Sequence, residues 1–308
     1  MFQNFDEPAT SAPEKQMRQR VVALRAALVS QGLDGFMVPR GDAHQSEYVA
    51  PSDQRLAWIS GFTGSAGMAI VLANGAAVFS DGRYTEQMAA QVDAAVFDCL
   101  NSADTKPNDW IFAALGSAKK LGYDPWLHTV DQVASLARAA GRAGARLVPV
   151  ITNPIDQIWT NRPGAPNSPV CEQQLNFAGQ SSAAKLKALR ATLTQSSQDA
   201  VVLTLPDAVA WAFNIRGADI AHVPVALCFA IISQSAAMLF IEPDRVPKAV
   251  RAALGPGTTV RPPAAFATAL QELGDKRLTV RLDPATGAQQ IALHLEGAGA
   301  IVSPRAHP

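Results

Sequence analysis

Across 308 residues the chain carries 26 basic and 26 acidic side chains, so its formal net charge is zero, and 48% of it is hydrophobic. That balance excludes a dominant nucleic-acid or anionic-membrane surface, which needs a basic excess, while the apolar share suits a folded protein of about two domains. Three scattered cysteines, Cys99, Cys171 and Cys228, form neither a disulfide framework nor a metal knuckle and favour a reducing compartment.

The expected elements begin with a helix. Ser11-Ala-Pro-Glu14 has capping-box spacing, and Met17, Val21, Leu24 and Leu28 recur at helical intervals up to Gly32. The segment before it, Met1 to Thr10, carries Asp6 and Glu7 and no apolar run, so it does not read as a signal peptide. No stretch approaches the roughly 20 apolar residues of a membrane span, and a cytoplasmic location is expected. Gly35–Val38 reads as a strand and 53–60 as a helix carrying Trp58. Gly67–Leu72 and Ala76–Ser80 flank Asn74-Gly75, a dipeptide that tolerates the positive φ of a tight hairpin. Helix (85–91), strand (95–100), helix (108–115), strand (120–123), helix (130–140, stopped by Gly141) and strand (146–151) complete a first domain, 1–152.

Pro154, Pro163, Pro166 and Pro169 make 153–180 too proline-rich for regular structure, so it is read as a linker. In 181–308 the expected order is helix 182–195, strand 200–204, helix 207–214, strands 225–233 and 236–242, helix 245–254, strand 258–261, helix 264–273, strand 278–282 and a last strand near 299–303. The two halves repeat each other. At an offset of 165, Ala23, Leu24, Arg25, Ala26, Leu28, Asp34 and Asp42 meet Ala188, Leu189, Arg190, Ala191, Leu193, Asp199 and Asp207. With short gaps, Trp58 and Gly64 fall on Trp211 and Gly217, Phe79 on Phe240, and Asp124-Pro125 on Asp283-Pro284. A repeat this long is a duplicated domain, not a solenoid unit. The fold class is therefore α/β: two tandem duplicated domains, each a mixed sheet flanked by helices.

No segment is a complete active site. Gly41-Asp-Ala-His-Gln-Ser-Glu-Tyr48 is densely polar, but with one histidine and no partner at i+4 it reads as a metal or acid–base loop or as a hydrogen-bonding loop. Ser60-Gly-Phe-Thr-Gly-Ser-Ala-Gly67 precedes a strand and lacks the Lys-Ser/Thr ending of a phosphate loop, which makes it a close-packed turn. In Asp81-Gly-Arg-Tyr84, Arg83 offers a planar charged fork to a carboxylate or peptide group, or pairs with a neighbouring acid. The second copy has Glu242-Pro-Asp-Arg245 at that place, so the two copies do not share the role. Arg216 and Asp219 are expected to pair, His222 to be a satisfied structural histidine, Trp159 to plug the linker and Arg162 to cap a neighbouring element.

Taken in order, these motifs, with Ile158-Trp-Thr-Asn-Arg-Pro163 and Trp211-Ala-Phe-Asn-Ile-Arg-Gly-Ala-Asp219, resemble the N-terminal half of the three-domain aminopeptidases P, metallopeptidases related to creatinase and prolidase. The resemblance implies two creatinase-like domains of ribonuclease-H-like topology, followed in the family by a catalytic pita-bread domain. That domain holds two metal ions, usually manganese, and removes the first residue from peptides with proline second. It implies no metal ligand and no catalytic residue among these residues, an inert chain in isolation, and short Xaa-Pro peptides and the catalytic domain as partners. It assigns Arg83 to the mouth of the active site as a substrate contact, with His44 as a further part of the rim and Glu47 or Asp81 orienting Arg83. A homodimeric parent and a monomeric fragment are the implied assemblies. Two other readings are a stand-alone binding or oligomerisation module of this fold, and a metal-dependent nuclease. The nuclease is disfavoured because Gly35–Val38 and Val225–Ser233 carry no acid.

Overall fold

In the computed structural model, residues 14–255 and 257–308 are described; the expected capping box at Ser11 and the segment before it lie outside them. Fourteen strands occur among the described residues, in chain order β1 (Gly35–Pro39), β2 (Met68–Leu72), β3 (Gly75–Ser80), β4 (Asp98–Asn101), β5 (Lys120–Tyr123), β6 (Arg146–Pro149), β7 (Cys171–Glu172), β8 (Ala200–Leu203), β9 (Ile215–Arg216), β10 (Phe229–Ser233), β11 (Ala237–Phe240), β12 (Thr258–Arg261), β13 (Thr279–Leu282) and β14 (Ile301–Pro304). The helices are α1 (Glu14–Ser30), α2 (Arg55–Ser60), α3 (Thr85–Gln91), α4 (Pro107–Ala114), α5 (Val130–Arg142), α6 (Pro154–Ile158), α7 (Leu175–Ala178), α8 (Ser182–Gln195), α9 (Pro206–Phe213), α10 (Lys248–Ala253), α11 (Phe266–Asp275) and α12 (Gln289–Gly297).

Both large sheets obey one plan. The first has the order β4-β3-β2-β1-β5-β6 and the second β12-β11-β10-β8-β13-β14. In each, the three consecutive strands pair antiparallel and the outer ones add in parallel. Even the register repeats: Gly35 lies opposite Leu72 and Leu121, and its counterpart Ala200 opposite Ser233 and Val280. The two sheets are the mixed sheets of the two tandem α/β domains that the duplication implied.

The matched residues do the same work in both copies. Arg25 Nε donates to the Leu72 carbonyl and Arg190 Nε to the Ser233 carbonyl, each at 2.9 Å. Asp34 accepts the Lys120 amide (2.9 Å), as Asp199 accepts that of Thr279 (2.7 Å). Arg20 reaches the Trp58 carbonyl at 2.5 Å with its guanidinium 4.6 Å over the ring. Lys185 repeats this on Trp211, at 2.9 and 4.5 Å. In both cases a cation of the long helix meets a carbonyl near the C-terminal end of a short one, where the helix dipole favours positive charge.

Most predicted elements stand where the periodicity places them, and Met17, Val21, Leu24 and Leu28 are buried. Four points differ. Helix α5 runs through Gly141, which is exposed, and the left-handed stop comes at Gly144 (φ 71°). Helix α12 lies in a stretch with no expected element; Ile291, Ala292 and Leu295 are buried while Leu293 among them is exposed. The stretch 153–180 holds α6, β7 and α7: Pro154 is accommodated at the start of α6, whose Asn153 cap accepts the Ile155 amide at 3.0 Å. Asp219 pairs not with Arg216 but with Arg245, while Arg216 donates to the Ala210 and Ile215 carbonyls.

The residues form two compact units that do not follow the repeat boundary. The first contains the chain up to Arg40, Pro51–Asp124 and Val133–Pro163; the second contains Gly41–Ala50, Pro125–Gln132 and Gly164–Pro308. Two segments of the first repeat are thus built into the second unit. There Thr129 bridges to Ala288, Val130 donates to Gly287, and Gln289 donates to His128. Trp126 lies 6.1 Å from Phe229 and 6.4 Å from Phe266, against the second unit's core. Trp126→Ala should therefore destabilise that core by about 2–3 kcal/mol, a little less than full burial would give; an unchanged midpoint in urea unfolding would refute this. Cys228 is fully enclosed in the same unit, and burial pushes its thiol up to about 12. At pH 8 in Ellman's reagent the exposed Cys171 should react at once and Cys228 only after unfolding, because thiolate is the reacting form.

Candidate functional site

The two motifs flanking the first hairpin meet in the first unit. Gly64 is required by packing: a Cβ there would stand 2.3 Å from Phe62 Cζ and 2.9 Å from Tyr84 Cδ1. This lets the Tyr84 ring come edge-on to Phe62 (5.9 Å) and its hydroxyl meet Ser65 Oγ at 2.5 Å. The glycine run is the close-packed turn its position before a strand implied. Ser80 closes the turn by donating to the Ala66 carbonyl at 2.6 Å.

Arg83 projects from this platform in a short turn, Gly82–Tyr84, capped by Asp81, which accepts the Arg83 amide at 3.0 Å. The same carboxylate takes the side chain in a side-on fork, Nε at 3.0 Å and Nη2 at 2.7 Å. The guanidinium carbon lies 5.1 Å from the Tyr84 ring centroid. The Arg83 side chain is 68% exposed and that of Asp81 38%. Hydrogen bonding from Arg83 holds the Asp81 carboxyl below the usual carboxylate range, so it stays ionised at neutral pH. The hydrogen bond with Ser65 lowers the Tyr84 phenol. Asp81, one of the two residues the resemblance gave for orienting Arg83, makes these contacts. The meeting of Ser65 with Tyr84 was invisible in sequence, where the motifs stand 19 residues apart and neither names its partner.

His44 belongs to the second unit and is buried. Its ring stacks on Phe229 at 4.2 Å, and Nδ1 lies 3.2 Å from the Thr204 carbonyl. Asp42 Oδ1 accepts the amides of His44 (2.9 Å) and Ser46 (3.0 Å), so the polar loop satisfies its own backbone. The exposed rim of that loop, Gln45 to Tyr48, lines a cavity of about 260 Å³ with Leu205, Asp207 and Val223.

The other singled-out residues are structural. Trp159 is buried against Trp58 (5.4 Å), and Arg162 donates to the Ser52 carbonyl (2.7 Å) while pairing with Asp156 (2.6 Å). Asp219 accepts from Ser168, Leu227 and Arg245. His222 is exposed at a positive φ of 62°, in a turn and not in a core. Among the described residues no group of three or more His, Cys, Asp or Glu is arranged to hold a metal ion, so the residues present do not fit a metal centre. Among them, too, no helix is long and apolar enough to cross a membrane.

A doubled α/β unit, each copy built on one six-stranded mixed sheet of the same strand plan, defines a class of fold. The creatinase/prolidase N-terminal domain models match residues 20–158 and 161–307, and the chain belongs to that family. It is 38% identical over 247 residues to a probable Xaa-Pro aminopeptidase P of Coccidioides posadasii, covering 79% of this chain and 38% of that protein. A probable Xaa-Pro aminopeptidase P of Paracoccidioides brasiliensis is 37% identical over 247 residues, with 79% and 40% covered. Among solved structures, the X-prolyl aminopeptidase of Caenorhabditis elegans, a cytosolic enzyme with a di-nuclear active site, superposes with a TM-score of 0.88. It is 27% identical and is matched over 94% of this chain and 50% of that one. The chain thus spans about two fifths of the length of these curated relatives and half of the nematode chain.

The platform makes a direct prediction. Gly64→Val should destabilise the first unit by about 1–3 kcal/mol through overpacking against Phe62 and Tyr84. A thermal melt coincident with the wild type would show that the turn yields without cost.

Proposed function

We propose that this chain is the non-hydrolytic, substrate-admitting portion of a cytoplasmic Xaa-Pro aminopeptidase, gating the entry of short peptides and orienting them. The observation that carries the reading is Arg83: an exposed guanidinium held out from a strand end by Asp81 and Tyr84, in a family whose relatives here are aminopeptidases. A rigidly oriented arginine fork suits recognition of planar acceptors on a peptide. His44 would act at the rim through the loop it anchors, by fixing Gln45 to Tyr48, and not by direct contact of a buried ring. Peptide-bond cleavage would fall to a catalytic domain that this chain joins. There two metal ions, manganese or similar, would supply an activated water. The whole protein would be a homodimer and this portion alone a monomer.

The test is release of the first residue from an Xaa-Pro-Xaa tripeptide with added manganese. It compares this chain with the full-length product of its gene. Activity is expected only in the full-length product, where Arg83→Ala should lower kcat/KM about tenfold or more by loss of a charged hydrogen bond. Hydrolysis by this chain would reveal an unrecognised metal site. An unchanged kcat/KM would remove Arg83 from the substrate, and inactivity of both proteins would favour a binding module.

A further inference from the structure

Given the peptide-admitting reading above, we infer that Asp81 sets the ligand class of Arg83: the paired guanidinium selects a neutral peptide carbonyl and discriminates against a carboxylate. Asp81 is held from two directions, because Oδ1 caps the turn by accepting the Arg83 amide while Oδ1 and Oδ2 together take Nε and Nη2. Residues two apart in one turn keep this geometry without ordering a distant segment. The Tyr84 ring lies against the guanidinium, and Ser65, Phe62 and the absent Cβ of Gly64 fix the ring.

Charge decides what such a pair can hold. Arg83 and Asp81 together carry no net charge, and Glu86, in the first turn of α3, leaves the segment 81–86 one negative charge in excess. A carboxylate reaching the guanidinium would have to displace Asp81 or accept a second anion within a few ångströms of it, a like-charge approach that costs free energy even in water. A carbonyl oxygen brings a dipole and no charge, and can accept a hydrogen bond from the paired fork. Asp81 is therefore a specificity-determining residue: the favoured peptides place an internal carbonyl, not a C-terminal carboxylate, at Arg83.

The experiment titrates the isotope-labelled chain with one Xaa-Pro-Xaa tripeptide as its free acid and as its C-terminal amide. The amides of Gly82 to Tyr84 and the Arg83 Nε–H signal report binding. The wild type should bind the amide at least as tightly as the acid, and any excess for the cationic amide over the zwitterionic acid should shrink as salt is added, because the segment 81–86 is net negative. Asp81→Asn keeps an acceptor for the Arg83 amide and should shift the ratio toward the acid by about threefold or more, in a salt-sensitive way. Asp81→Ser, which also caps, should do the same if the asparagine variant misfolds. Wild-type preference for the acid overturns the inference, and so does a ratio unmoved by either folded variant. Failure of both peptides to shift these signals overturns it too. The aminopeptidase reading stands or falls separately on tripeptide hydrolysis.

Discussion

A six-stranded sheet covered on both faces leaves no water for ionisable side chains along its central antiparallel strands, and that constraint governs where chemistry resides in this chain. Alternation along each strand feeds two cores. Phe36 and Val38 pack on one face of the first sheet and Met37 on the other; Ala69 and Val71 oppose Ile70 and Leu72. The second sheet splits in the same manner, with Val201 and Leu203 on one side and Ala200 and Val202 on the other. None of β1, β2, β3, β8, β10 or β11 contains an ionisable residue. Polar groups are displaced to strand ends: Arg83 follows β3, His44 follows β1, and Asp124 and Asp283 follow β5 and β13.

Duplication has kept the bonds that tie helix to sheet and released those ends. Arg25 and Arg190, or Arg20 and Lys185, satisfy backbone carbonyls that would be costly to leave unmade. At the end of the third strand the two copies diverge in what they do with arginine. In the first, Arg83 stands in solvent beside Asp81. In the second, Arg245 stands one position later in the matched motif and is turned inward, donating to the Ser168 carbonyl and to Asp219, whose carboxylate is fully buried. One residue of displacement separates a solvent-facing ion pair from a buried one. Breaking such a pair would leave an uncompensated charge.

The repeat, the sheet-forming segments and the two glycine-rich turns were legible because apolar period and turn chemistry are local properties. Helix α12 was not, since its three buried residues give too weak a period, and the start of α6 was obscured by a proline that in fact favours a helix's first turn. Strand order and register depend on which strands find one another, which no local pattern records. Arg83 was visible as a charged fork, but its cap, its ring contact and the Ser65–Tyr84 bond emerge only when turns from two motifs close on each other.

The allocation of loops to cores was the least legible feature, and it changes how the polar motif at 41–48 is understood. Residues 125–131 pair with their own counterparts in the second copy. Val130 donates to Gly287 and Gln289 to His128, while Asp131 donates to Pro284 and Gln290 to Pro125. Each bond has its reciprocal at an offset of 159, the arrangement of a self-complementary contact made inside one chain. The loop 41–50 enters the same unit and brings backbone amides into a buried setting without strand or helix to satisfy them. Asp42, accepting from two amides, and Gln45, donating to the Asp42 carbonyl at 3.1 Å, meet that need locally. The stacked His44 then seals the loop against Phe229. Density of polar residues at this point is thus what burial of an irregular segment demands.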